Sequence, residues 1–134
     1  MTEIDPNGKD PHEPGAKLDD GKNQAGILLD FSNALMAVAE IGTFGANKYT
    51  RGGWQSVPEG KQRYTDAMMR HLFKMQKEKL DPDSGLPHLA HFVWNAMAVL
   101  ELDLREEKDL NTVEYTPSYP VYTVKTGSEN LTIQ

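Results

Sequence analysis

From Ala25 the chain turns apolar at helical spacing. Leu28, Leu29, Phe31, Leu35, Met36, Val38, Ala39 and Ile41 recur at intervals that keep one face apolar, and Ala, Leu and Met favour helix. Gly42 and Gly45 weaken the end of this element, and the paired glycines of "TRGGW" close it. Pro58 and Gly60 mark a loop. Beyond it Tyr64, Met68, His71, Leu72 and Met75 share a face, which predicts a second helix over 61–79. Arg63, Asp66, Arg70 and Lys74 share another face of it. "LDPDSG" then breaks the pattern, and a third helix is expected from Leu86 to Asp109, with Ser84 as N-cap and Pro87 in the first turn. In it Leu89, Phe92, Val93, Trp94, Ala96, Met97, Val99 and Leu100 cover nearly every side. A helix apolar all round is normally interior.

The flanks read differently. Residues 1–24 are rich in Pro, Gly, Asp and Lys and predict a flexible arm with a possible phosphate-contacting loop. Residues 109–134 alternate Tyr, Val and Thr with two prolines, which predicts an extended tail, a short strand pair or an arm on a neighbouring subunit. The helical domain is expected over 25–108. There is no βα alternation, no G-x-G-x-x-G and no P-loop. The fold class is therefore all-α, with three main helices per chain. Three helices cannot enclose one that is apolar all round, so a homodimer or homotetramer is expected to complete the bundle.

Composition narrows the chemistry. The 134 residues contain no cysteine, which excludes disulfides and thiolate metal sites. "MTEIDPNGKD" lacks a basic segment followed by an apolar run, so no secretory signal is expected, and the apolar runs look too short for a membrane span. A net charge of −6 argues against a nucleic-acid polymer as partner. It leaves room for a small anionic ligand held by local cations and a metal.

Polar residues interrupt the apolar faces at particular places. His88, His91 and Asn95 stand at i, i+3 and i+7 of the third helix, within roughly 60° of one another at 100° per residue. Buried, they need hydrogen-bond partners or a metal. Asn33, Glu40 and Asn47, seven apart, form a line on the first helix, where a Glu must pair or ligate a cation. The plainer alternatives are structural histidines and a Glu at the helix edge. His71 lies on the apolar face of the second helix, where a core role is the simpler reading. Asp81 and Asp83 could add oxygen ligands or cap helices. Arg63 and Arg70 suit phosphate oxygens or a solvated face. "KLDDGK" offers Lys22; "GANKYTRGGW" offers Lys48 with Tyr49 and Trp54, an aromatic–cation set that can stack a base and hold phosphates.

Taken in order, "KLDDGK", "FGANKY" with its following Trp, "RYTDAMMRH" and "DPDSGLPHLAHFVWNAMAVLEL" resemble the phage dATP/dGTP diphosphohydrolase family, the MazZ-like proteins, related to the all-α MazG-type pyrophosphohydrolases. The resemblance runs from Lys17 to Leu104. It implies hydrolysis of a purine deoxynucleoside triphosphate to monophosphate and pyrophosphate with a divalent metal, in some members serving phages with 2-aminoadenine DNA. MazG-type relatives bind metal through E-x-x-E and E-x-x-D; here Glu40 has no second Glu three residues on, and "HLAH" replaces E-x-x-D. Imidazoles favour Mn²⁺ or Co²⁺ over Mg²⁺.

The expected function is thus metal-dependent pyrophosphohydrolysis of dGTP or dATP in a cytoplasmic setting. Glu40, His88 and His91 are the catalytic candidates. Glu40, His71, Asp83, His88, His91 and Asn95 are the metal candidates. Lys22, Lys48, Tyr49, Trp54, Arg63 and Arg70 are the substrate contacts. The alternatives are another metal-dependent nucleotide phosphohydrolase, a nucleotide-binding regulator and a non-enzymatic helical module that binds a partner protein.

Overall fold

The computed structural model describes residues 2–111, 114–118, 121–126 and 129–133, with side chains as far as Glu106. The chain divides into two compact units. One is Leu28–Leu110; the other joins Met1–Ile27 to Asn111–Gln134.

Three α-helices carry the larger unit: α1 (Ser32–Lys48), α2 (Gly60–Lys74) and α3 (His88–Asn111). The apolar run before α1 winds as a 3-10 helix, Ala25–Phe31, and no side-chain cap holds the start of α1. α2 stops at Lys74, five residues short of the predicted end, because tertiary pairing captures the residues after it. The Lys79 carbonyl accepts the His88 N–H at 3.0 Å, and Leu80 bridges to Pro87 in antiparallel fashion. α3 starts at His88. The carbonyl of Pro87, not the Ser84 side chain, opens it by accepting from Ala90 and His91. Ser84 is recruited elsewhere.

Contacts fix the helix directions. Gly60 lies against Leu102, and Lys61 pairs with Asp103 and Glu106, while His71 meets His88 at the other end, so α2 and α3 run antiparallel. α1 also runs antiparallel to α3: Gly42 faces Trp94, Phe44 meets His91, and Lys48 reaches Asp83 just before α3. A Cβ at Gly42 would sit 3.2 Å from the Trp94 indole nitrogen, so this glycine lets the helices approach.

The enclosed apolar core is thin: Val38, Ile41, Ala90 and Ala98. The expectation that α3 lies wholly inside fails for the single chain. Leu89, Val93, Met97 and Leu100 are exposed on it, as are Leu35 and Met36 on α1, because α1 and α2 cover only part of its circumference. The expectation that no apolar run reaches membrane length is also corrected. Ala25–Lys48 is one helical run of 24 residues in which an 18-residue stretch reaches mean hydropathy 1.4, long and apolar enough to cross a bilayer by length and composition. It carries Asp30 and Glu40, charges that a bilayer interior disfavours.

In the smaller unit, the N-terminal arm is ordered around Asp5. Its carboxylate accepts the backbone N–H groups of Asn7, Lys9 and Lys17, and the Asp20 N–H bonds the Ile4 carbonyl at 2.9 Å. The tail forms three antiparallel strands rather than a pair: β1 (Glu114–Ser118), β2 (Val121–Thr126) and β3 (Glu129–Ile133), in the order β1-β2-β3. Pro117 falls on β1, an edge strand, where a missing N–H is tolerated.

Candidate functional site

Among the described residues, the most deeply buried large side chain is a histidine. His88 has no exposed surface. Its Nδ1 lies 2.9 Å from His71 Nδ1, and its Nε2 lies 3.0 Å from Glu78 Oε1. A carboxylate only accepts, so Nε2–H donates to Glu78. That leaves Nδ1 of a neutral His88 as the acceptor, and His71 Nδ1–H donates to it. Histidine tautomers are thus set by the one partner that cannot donate.

Asp81 is buried beside this pair. Its backbone N–H bonds the Leu86 carbonyl at 2.8 Å, and its own carbonyl accepts the Gly85 N–H at 2.7 Å. Gly85 adopts φ +73°, the left-handed conformation that closes this loop. Asp81 Oδ1 accepts the N–H groups of Asp83 and Ser84. Oδ2 is left facing the two imidazoles, 3.9 Å from each Nδ1. His71, Asp81 and His88 therefore present three ligand-type atoms within 4.8 Å of one another.

His91 forms the next layer. Its ring stacks on His71 at 4.4 Å with planes 6° apart, and Phe44 of α1 meets it edge-on at 6.3 Å. His91 Nε2 lies 2.7 Å from Ser84 Oγ, which also accepts the Leu86 N–H. Since that oxygen is already an acceptor, its own hydrogen is free to point at His91. Asn95 donates to the His91 carbonyl, one turn back, at 2.8 Å.

Burial governs the protonation states. It pulls the His71 imidazole down to about 4; His91 adds to this and Asp81 opposes it. His91 is lowered chiefly by burial, against the pull of Asp81. For Asp81 burial works upward, yet its carboxyl sits below the usual range because the Ser84 and Asp83 N–H groups hold the anion. At neutral pH His71 and His91 are neutral imidazoles near the Asp81 carboxylate.

The other sequence-predicted residues fall into place around or away from this cluster. Glu40 is exposed on α1, one turn before Phe44 and on the same helix face. Lys48 continues that face, with Nζ 5.7 Å from the Phe44 ring and 2.9 Å from Asp83 Oδ2. Asp83 is exposed and bound to this lysine, whereas its neighbour Asp81 turns inward. Tyr49 is exposed beside Lys48, 5.6 Å from its Nζ. Trp54 packs edge-on against Tyr64 and Trp94, with Arg105 over its ring. Arg63 and Arg70 lie exposed on α2, Arg63 donating to the Pro58 carbonyl at 3.3 Å. Lys22, in the smaller unit, pairs with Glu3. Sequence reasoning missed Glu78 and the inward turn of Asp81. The i, i+3 relation of Asp81 to Ser84 and of Glu78 to Asp81 gave no hint, since neither stretch is helical.

An all-α body that buries histidines and a carboxylate between two antiparallel helices defines the class: a helical protein with a polar, ligand-type centre. The chain belongs to the family described as "dATP/dGTP diphosphohydrolase, N-terminal", whose sequence model matches residues 12–111, covering all three helices and the whole cluster. The family name is that of a hydrolase acting on purine deoxynucleotides. No curated protein and no solved structure matches the chain.

Proposed function

We propose that the protein hydrolyses dATP or dGTP to the monophosphate and pyrophosphate with a divalent cation, at the buried cluster between α2 and α3. The observation that carries this is the family match over residues 12–111, which spans every residue of that cluster. A bound cation would neutralise phosphate charge and acidify a water.

The chain's own residues supply the rest. His91, kept neutral by burial, accepts the Ser84 hydroxyl at Nε2, its one basic nitrogen, so a proton from an attacking water would reach it through Ser84. Glu40 stands on the α1 face that meets His91 and is the second base candidate. Lys48, Arg63 and Arg70 are exposed cations suited to triphosphate oxygens, and Tyr49 offers an open ring to a base. Asn95 holds the His91 backbone instead of facing ligand, which makes it a positioning residue in this reading. The exposed apolar residues of α1 and α3 support self-association into a dimer or tetramer. The same reading extends to phage nucleotide metabolism, where removing dATP and supplying dGMP would serve 2-aminoadenine DNA synthesis.

A substrate panel with pyrophosphate and orthophosphate measured separately tests the reaction. Pyrophosphate release from dGTP or dATP is expected. Orthophosphate alone would mean a different phosphohydrolase, and no turnover in any metal would favour a binding module.

A further inference from the structure

We infer that His71 Nδ1, His88 Nδ1 and Asp81 Oδ2 are the ligands of one first-row transition-metal ion, with Glu78 as the partner that aims His88 at it. The site shares its location with the proposed catalytic centre but does not depend on the substrate reading.

The geometry comes first. The three atoms form a triangle with sides of 2.9, 3.9 and 3.9 Å. The point equidistant from them lies about 2.1 Å from each, which is the usual bond length from zinc-like ions to imidazole nitrogen and carboxylate oxygen. Two nitrogens whose lone pairs converge to 2.9 Å must share either a proton or a cation.

The surroundings are those of a ligand set. A metal-bound histidine commonly donates its other N–H to a carboxylate, which fixes the tautomer and leaves the ligating lone pair forward. Glu78 does this to His88. Asp81 is held by four hydrogen bonds: its N–H, its carbonyl and two to Oδ1. Only Oδ2 is spared, and it points at the nitrogens. The His71 and Asp81 side chains keep 15% and 12% of their surface exposed, so an ion or a further ligand reaches the centre from their side. Among the described residues no buried polar side-chain atom lacks a partner, so the fold does not require the ion to form. Entry displaces the shared proton, which His71 retains on Nε2.

Donor chemistry selects the ion. Two imidazoles and one carboxylate favour Zn²⁺, Co²⁺ or Mn²⁺; Mg²⁺ prefers oxygen ligands and water. This differs from a site built on Glu40 and Asp83, which are exposed and lie outside the triad.

The test is titration of the full chain, stripped with chelator and free of nucleotide, by calorimetry and by the visible spectrum of Co²⁺. One ion per triad is expected, with Zn²⁺ and Co²⁺ binding at least ~100-fold tighter than Mg²⁺. Asp81→Asn and His71→Gln should abolish the Co²⁺ bands, and Glu78→Gln should weaken binding by about 10- to 100-fold with helical circular dichroism retained. Since a variant can fail to fold, imidazole ¹⁵N spectra of the unaltered protein give a second measurement. Zn²⁺ should shift Nδ1 of His71 and His88 and spare the ring nitrogens of His91. Absence of Co²⁺ bands, bands surviving in folded Asp81→Asn, or a shift confined to His91 would overturn the assignment. Nucleotide turnover failing while these signals appear would sink the hydrolase reading alone.

Discussion

Two faces of α3 invert the usual rule of burial. Where it meets α2, the helix hides His88, His91 and Asn95; where it is open, it shows Leu89, Val93, Met97 and Leu100. Burying polar groups is unfavourable unless every one is bonded, and exposing aliphatics forfeits roughly 25 cal/mol per Å² of apolar area. The polar face is tolerated because each member is satisfied: His88 on both nitrogens, His91 by Ser84, Asn95 by the His91 carbonyl. The open face has no such compensation within one chain. Burial on this helix therefore follows hydrogen bonding on one face and lack of cover on the other; the proposed hydrolase uses the first for chemistry and the second for self-association.

The largest effect should come from charging the open face. Leu89→Glu with Met97→Glu is expected to turn an assembly of 15.0-kDa chains into monomers, read by light scattering. A monomer at micromolar concentration before substitution would break the comparison on that side. On the polar face, His91→Ala should keep helical circular dichroism yet lower the hydrolysis rate by ~10²- to 10⁴-fold, the usual share of a general base. Unfolding of this variant instead would make His91 structural.

Acid should act on the same face more gently. The folded pKa of His71 is depressed from 6.5 to about 4, so across that window the unfolded chain binds a proton that the folded one refuses. Stability is fully present above pH 6.5 and falls as pH drops toward 4, with His91 shifted in the same direction and Asp81 adding a loss at still lower pH. Urea midpoints against pH should show this slope, and His71→Gln should flatten it; an unchanged slope would remove His71 as its source. The smallest effect is expected at the rim. Lys48→Gln breaks an exposed, solvent-screened pair with Asp83 and should raise KM about fivefold or less with kcat unchanged. A collapse of kcat would place Lys48 in the chemistry itself.

Local pattern carried the helices. Apolar spacing located α1, α2 and α3, since side chains three and four apart share a face whatever surrounds them. It also put His88, His91 and Asn95 on one stripe. The same spacing overran α2, took Ser84 for a cap and did not show Asp81 turning inward. Those errors share a cause: residues 75–87 are not periodic, so nothing along the chain says which way each side chain turns.

Helix periodicity is a local property of the backbone, so residue order alone was enough for the all-α body and its polar stripes. Which polar groups meet was settled by packing. The return of the chain after α2 brings Glu78 under His88 and turns Asp81 inward, and antiparallel packing sets His71 against His88 across 17 residues of sequence. Hydrogen bonds between distant residues depend on how the elements pack, and that information is in no single element.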